Sequence, residues 1–229
     1  MNIIIFGGSG FIGSRTAQIL KEQGHQVCTP DRRAFDFLHP DETAARRLLE
    51  GQDVLINCIG IMSHHAEILE TVHHHTPKQL AAWAKAAGIK HWVQLSALGA
   101  DPSQSINFVG SKGRGDDAVA QSGIPISIAR PSVVYGRGGT SCELFIKLAH
   151  LPLLPLPEGG RFYLQPVHLA DVAEGLAKLA AQTDAGHSII NMTGSQTLTL
   201  AEYLITLRQT LHHKPPQHIL PIPLRLIDP

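Results

Sequence analysis

The 229-residue sequence predicts an α/β protein: a doubly wound, mostly parallel sheet with a small C-terminal lobe. Three observations lead there. Short apolar runs alternate with segments of helical period, a glycine-rich turn joins the first run to the first helical segment, and past residue 130 prolines and glycines punctuate the chain.

Taken in order, residues 3–6 (IIIF) read as a strand buried on both faces, and 11–23 as a helix with Ile12, Ala17, Ile19 and Leu20 inward. Residues 26–29 form a short second strand, 44–50 a helix and 54–58 a buried strand. The helix at 77–87 is opened by Pro77 in its first turn and stopped by Gly88. A strand at 92–96, a helix at 111–121 and a strand at 126–129 complete the main sheet, which occupies about 1–130. Strands and helices alternating at this spacing make βαβ units with helices on both faces. From about 131 to 229 the chain reads as a smaller substrate lobe closing over the sheet's carboxyl edge, with helical period at 169–181 and 200–211. The two parts are expected to form one domain over 1–229. The closing PPQHILPIPLRLIDP reads as the shortened end of that lobe, without a final element.

Composition narrows the class. With 43% hydrophobic and 17% charged residues, disorder is excluded. Lysine and arginine total 19, as do aspartate and glutamate, which removes any global attraction to nucleic acid or anionic membrane. Cys28, Cys58 and Cys142 lack metal-ligand spacing and fit reduced thiols. The opening has no basic leader region, and no apolar run approaches the ~18 residues of a membrane span. A cytoplasmic protein with no transmembrane segment is expected.

The run Gly7-Gly8-Ser9-Gly10-Phe11-Ile12-Gly13 follows the first strand and opens the first helix. It satisfies G-x-G-x-x-G, the pattern of a Rossmann fold. Glycine there permits positive φ, close approach to a pyrophosphate and tight helix–strand packing, while the helix N-terminus offers N–H groups to the phosphates. Asp31, 18 residues beyond Gly13, stands near the spacing of a ribose-binding carboxylate. Arg32 and Arg33 follow and can clasp a 2′-phosphate, so NAD and NADP both stay open, with a lean toward NADP.

The remaining segments are VLINCIGI (54–61), VQLSALGADPSQS (93–105), SKGRGDDAV (111–119), IARPSVVYGRGG (128–139), QPVHLADVA (165–173) and NMTGSQTLTLAEYL (191–204). In that order and spacing the chain resembles the extended and atypical short-chain dehydrogenase/reductases. Within them it is most similar to the branch holding the Rossmann-type accessory subunit of respiratory complex I and its bacterial relatives. The resemblance implies that Asp36 and Phe37 hold adenine and that Cys58, Ile59 and Gly60 pass along the cofactor. It also implies that Pro131 and Ser132 meet the nicotinamide carboxamide, that Ser96 orients a substrate carbonyl, and that Lys112 is the lysine of Y-x-x-x-K. The tyrosine position of that motif is Phe108, which has no proton to give. Reducing a carbonyl by hydride builds charge on oxygen that needs a nearby acid, so tyrosine-dependent reduction or sugar epimerisation is not expected. Tyr135 and Tyr163 belong to the second half.

Among the other constellations, His64-His65 and His73-His74-His75, with Glu67 and Glu70 between, read as polar residues on a loop and helix start. Adjacent histidines diverge on regular elements, so no metal site is expected. His212-His213 suit a helix C-terminus, and His168 lines the site or packs internally. Ser96 and Ser111 lack a G-x-S-x-G elbow or a histidine tied to them by spacing, which argues against a serine hydrolase. The reading that follows is an NAD(P)(H)-binding atypical reductase whose acceptor needs no tyrosine acid, such as a flavin or quinone. The alternative is a non-catalytic redox sensor or structural protein. Expected partners are the dinucleotide and a small molecule, with a protein partner or homo-oligomer also open.

Overall fold

The computed structural model describes residues 1–182 and 186–226. In chain order the main elements are β1 (Asn2–Phe6), α1 (Phe11–Glu22), β2 (Gln26–Cys28), α2 (Glu42–Leu49), β3 (Val54–Asn57), α3 (Ala66–Glu70), a π-helical turn (Thr71–His75), α4 (Thr76–Ala86), β4 (His91–Leu95), α5 (Asn107–Ala120) and β5 (Ile126–Pro131). There follow β6 (Val134–Tyr135), α6 (Thr140–His150), β7 (Leu153–Pro157), β8 (Tyr163–Leu164), β9 (Val167–His168), α7 (Leu169–Ala181), β10 (Ser188–Met192), β11 (Leu198–Thr199), α8 (Leu200–His212) and β12 (His218–Ile222).

The chain divides into two units. The first holds residues 1–131 and 169–192, and its six strands run parallel in the order β10-β5-β4-β3-β1-β2. Strands β1, β3 and β4 lie inside the sheet and are buried on both faces from Ile3 onward, so exposed polar residues do not alternate along them, and their polar residues Asn57, His91 and Gln94 are buried as well. Helices α1 and α7 pack together, while α2, α4 and α5 form a second contiguous layer. Trp92 is fully buried in β4, and its indole N–H donates to Gln94 Oε1 at 2.9 Å, so its one polar atom is satisfied.

The second unit holds 132–168 and 193–229. Its parallel pair β7–β12 packs with α6 and α8 around Leu154, Leu156 and Leu204. The Arg208 guanidinium donates to the carbonyls of Ala149 and His150 at 3.0 and 2.8 Å, closing the C-terminus of α6. Thr199 and Glu202 form a reciprocal capping box at the start of α8.

Three expectations need correction. The main sheet does not end near residue 130: α7 and β10 return to it, with β10 pairing along β5 from Ser188 to Met192. As an edge strand it is only half-buried, so its short SIINM sequence lacks the apolar run of a central strand. The closing segment does carry an element, β12, despite its prolines. An edge pairing of two strands leaves the outer N–H groups unused and tolerates proline. Residues 66–75, read as a loop and helix start, are helical, and the π turn wraps His73 against α5.

That turn and α5 meet backbone to backbone. A Cβ at Gly115 would overlap the His73 carbonyl oxygen, so the approach requires glycine. Gly115→Ala should therefore lower the unfolding free energy by about 1–3 kcal/mol, the cost of overpacking a close contact. Urea titration measures it, and a change within about 0.5 kcal/mol, the size of a neutral surface substitution, refutes the constraint.

Candidate functional site

The site begins at the carboxyl end of β1. Gly7 has φ +78, and a Cβ there would lie 2.9 Å from the carbonyl carbon of Cys58. A Cβ on Gly13 would overlap Gly7 O, so helix α1 sits as close to the turn as backbone allows. Gly10 caps α1 in an extended conformation with no side-chain acceptor, leaving the first-turn N–H groups of Phe11, Ile12 and Gly13 open to an anion. Ser9 and Gly10 are exposed, whereas Gly8 and Gly13 are buried.

A groove of about 210 Å³ continues from the turn, lined among others by Gly7, Ser9, Asp31, Arg32, Asp36 and Phe37. Ile59, Ile61 and Val72 also line it. Phe6, Phe35 and Phe37 form its floor as a buried aromatic trio with ring centroids 5.3–5.7 Å apart. One Asp31 oxygen accepts the N–H groups of Arg33 and Ala34 at 3.0 and 2.9 Å, and so shapes the bend after β2. Arg32 pairs with Asp36 at 3.3 Å, and Asp36 also accepts the Leu38 N–H. That backbone bond, followed by Arg32, holds the Asp36 carboxyl below its ordinary range. Arg33 is exposed.

The loop after β3 carries Cys58, Ile59 and Gly60. The Cys58 N–H donates to Phe6 O, and the Ile59 N–H donates to Asn57 Oδ1. Burial pushes the Cys58 thiol up to about 12, far from the thiolate that reactive chemistry requires.

Phe108, Lys112 and Asp116 repeat every fourth residue and share one face of α5. Lys112 is 3% exposed, and its ammonium donates to Ile59 O at 3.1 Å and Leu95 O at 3.0 Å. Burial lowers its pKa to about 8, against the opposing pull of Asp116 and Cys58. An ammonium has three donors, so one N–H is left without a protein acceptor among the described residues.

Ser96, at the end of β4, donates its hydroxyl to Asp116 Oδ2 at 2.7 Å. The same oxygen accepts Arg130 Nε and Nη2 at 3.2 and 2.9 Å, while the buried Oδ1 has no partner among the described residues. Burial raises the Asp116 carboxyl, and Ser96 and Arg130 act against that shift. His73 is also buried. Its Nε2 accepts the Ile61 N–H at 3.2 Å and its Nδ1 lies 3.0 Å from Ser111 Oγ, which donates onward to Phe108 O. Those partners assign the proton to Nδ1, and burial, with Lys112 adding to it, holds the ring neutral by lowering its pKa to about 3. A histidine does therefore meet Ser111, although no spacing in the sequence pointed to it. Because the serine proton is spent on a backbone carbonyl, no nucleophile results.

Pro131 ends β5, its carbonyl accepting the Leu98 N–H; Ser132 opens the second unit, where its hydroxyl meets the Gln165 N–H at 3.4 Å. Tyr135 and His168 lie ring to ring in that unit, 5.1 Å apart, and Tyr163 is exposed there. Asp116 and Arg130 are polar residues that sequence reasoning passed over, and the sequence reads His73 only as a polar residue of a loop and helix start. A carboxylate one helical turn beyond Lys112 was the available signal for Asp116. His73 could be found only through the π turn.

The Lys112 charge makes a pH prediction. Folding lowers its pKa from 10.5 to about 8, so the unfolded chain binds the extra proton between those values. Stability at this site thus rises with pH through that window, and the full cost of burying the charge is present below it. Relative to Lys112→Met, the wild-type chain should gain on the order of 1–3 kcal/mol between neutral pH and the top of that window. Paired urea titrations across the range test this, and a pH-independent difference refutes it.

Comparisons with known proteins agree with this geometry. Residues 3–106 match the model of the NAD dependent epimerase/dehydratase family. The mitochondrial NADH dehydrogenase (ubiquinone) 1 alpha subcomplex subunit 9 of Arabidopsis thaliana is 28% identical over 246 aligned positions, covering 96% of this chain and 60% of that protein. A ceramide reductase of Caulobacter vibrioides is 30% identical over 197 positions, covering 78% of this chain and 60% of the relative. The chain therefore spans 60% of the length of each of these curated relatives. A solved dTDP-4-dehydrorhamnose reductase from Clostridium acetobutylicum superposes with a TM-score of 0.82 at 18% identity, covering 97% of this chain and 84% of that one; that likeness concerns the fold. Among the described residues no helix is long and apolar enough to cross a membrane. The glycine turn thus lies inside the segment that matches the NAD dependent epimerase/dehydratase family, and the parallel sheet around it shares the fold of the solved reductase.

Proposed function

We propose that this chain binds a dinucleotide, NADP(H) in preference to NAD(H), and passes hydride to an acceptor of flavin or quinone type that needs no protein acid. One observation carries the reading. Phe108 stands one turn before Lys112, and the Ser96 proton is committed to Asp116. Neither side chain can donate to a developing alkoxide, so ketone reduction lacks its acid. A flavin or quinone delocalises the arriving charge and takes its proton from water.

In this reading the glycine turn and the N-terminus of α1 receive the pyrophosphate. The groove over Phe6, Phe35 and Phe37 receives the adenosine, bordered by Asp36, Ile59 and Ile61. The remaining N–H of Lys112 is the donor for the nicotinamide ribose. The preference for NADP follows from charge. Asp31 is engaged by two backbone N–H groups and Arg32 is partly balanced by Asp36, but no acid pairs with the exposed Arg33 among the described residues. A phosphate there gains a charge-assisted hydrogen bond.

A second reading has its own support. Lys112, Ser96, Ser111 and His73 all bond within the protein, as suits a nucleotide held as a structural element. One relative carries the name of an NADH dehydrogenase subunit. In that case the nucleotide stabilises the fold and turnover is absent.

Two predictions follow from the charge and the missing acid. Arg33→Ala should weaken NADPH binding about 10-fold, the worth of one charge-assisted hydrogen bond, and leave NADH unchanged in fluorescence titration; equal losses for both remove the argument for NADP. Wild-type protein should oxidise NADPH with FMN or a short-chain ubiquinone but not with cyclic ketones. Phe108→Tyr should raise ketone reduction by about 10²-fold, the lower range for a positioned acid. Ketone reduction by the wild type at the variant's rate would refute the proposal, and tight nucleotide binding with no turnover on any acceptor would establish the second reading.

A further inference from the structure

The nucleotide site leaves unused the most unusual stretch of the first unit, the paired histidines of the π turn and the acid that precedes it. We propose that Glu70, His74 and His75 form a site for one borderline divalent transition ion, best suited to Zn2+. One ligating atom from each side chain lies within 4.8 Å of the other two.

The π turn makes this possible. Neighbouring residues on an α-helix point about 100° apart, which separates adjacent imidazoles. Here the His74 and His75 rings lie 4.6 Å apart, tilted by 32°. Glu70, which ends α3, brings Oε2 to 3.1 Å from His74 Nδ1. The two adjacent histidines that the sequence reading expected to diverge thus stand together beside Glu70.

Arg114 is the obvious competitor for Glu70, and its contacts define what it does. It grips chiefly Oε1, through Nε at 3.1 Å and through Nη2, and reaches Oε2 at 3.2 Å. It is itself fixed to Pro102 O at 2.9 Å. A carboxylate offers about four lone-pair positions, so Oε2 retains capacity toward His74 and His75. A ligating carboxylate is commonly steadied by an outer hydrogen bond of this kind. The guanidinium charge lowers the affinity for any cation. Two imidazoles and one carboxylate favour Zn2+ or Co2+ over Mg2+ and Ca2+, with water completing the coordination. Bonds of about 2.1 Å hold tetrahedral ligands about 3.4 Å apart. Closure therefore requires side-chain rotations, which the exposed His75 can make.

The test is isothermal titration of the tag-free, chelator-stripped full chain with Zn2+, with the visible absorption of bound Co2+ as a second readout. One ion per chain is expected, with Mg2+ silent. Because His75 is exposed, His75→Ala retains the fold, verified by its thermal melt, and should weaken Zn2+ at least about 10-fold. His64→Ala, outside the cluster, should bind as the wild type does. Glu70→Gln should weaken Zn2+ as well and alter the Co2+ spectrum. Absence of a saturable Zn2+ event in the wild type overturns the proposal, as does a Zn2+ affinity unchanged by His75→Ala.

Discussion

Removing the Lys112 ammonium from water is the constraint around which the carboxyl edge of the sheet is arranged. A buried charge must find hydrogen bonds and a counter-charge, or it loses its proton. Lys112 finds its acceptors in the carbonyls of Ile59, two residues past β3, and Leu95, the last residue of β4. It thereby ties the loop after β3 to the end of β4. Its counter-charge is Asp116, one turn along α5, and Arg130 in turn balances Asp116 from β5. The close fit shows at Gly60, where an added Cβ would come within 3.3 Å of the ammonium nitrogen. Three strands and one helix thus share a charge network that none of them could satisfy alone.

The opposite end of the groove is governed by backbone approach instead of charge. Gly7, Gly13 and Cys58 meet so closely that the β1–α1 turn and the β3 loop act as one surface. Behind it the Phe6, Phe35 and Phe37 rings supply a rigid apolar floor. Charge on this end is confined to the rim, where Asp31 shapes its own bend and Arg32 leans on Asp36. The two ends therefore differ in kind. The groove over the three rings is a preformed apolar slot with a charged lip, and the Lys112 side is a desolvated polar cluster.

Much of this was legible in the sequence because the signals are local. IIIF followed by GGSGFIG specifies a strand, a tight turn and a helix within a dozen residues, and the spacing of Phe108 and Lys112 places them on one helix face. The edge strand β10 escaped because half-exposed residues carry no continuous apolar run. The π turn escaped because TVHHH has no composition that distinguishes it from an α-helix start, and only packing against Gly115 explains its wider winding. The partners of Ser96, Ser111 and Lys112 escaped for a different reason. Each bond crosses between elements 17 to 53 residues apart, a distance over which a single sequence carries no spacing signal.

Those long-range bonds limit the chemistry more tightly than Phe108 does alone. A lone Tyr-to-Phe change would leave a serine hydroxyl free to approach a substrate oxygen. Here the serine has turned its proton to Asp116, and Arg130 keeps that carboxylate an acceptor by opposing the effect of burial. Ser96 can then only accept, and His73, neutral with both ring nitrogens engaged, has no proton to lend. The donor that remains is the third N–H of Lys112, a cation suited to a ribose hydroxyl. On the proposed reading, the side chains around it hold a nicotinamide ribose without supplying the acid that carbonyl reduction requires. On that reading, binding and proton transfer, which a tyrosine would have joined, are separated by where the hydrogens of Ser96, His73 and Lys112 point.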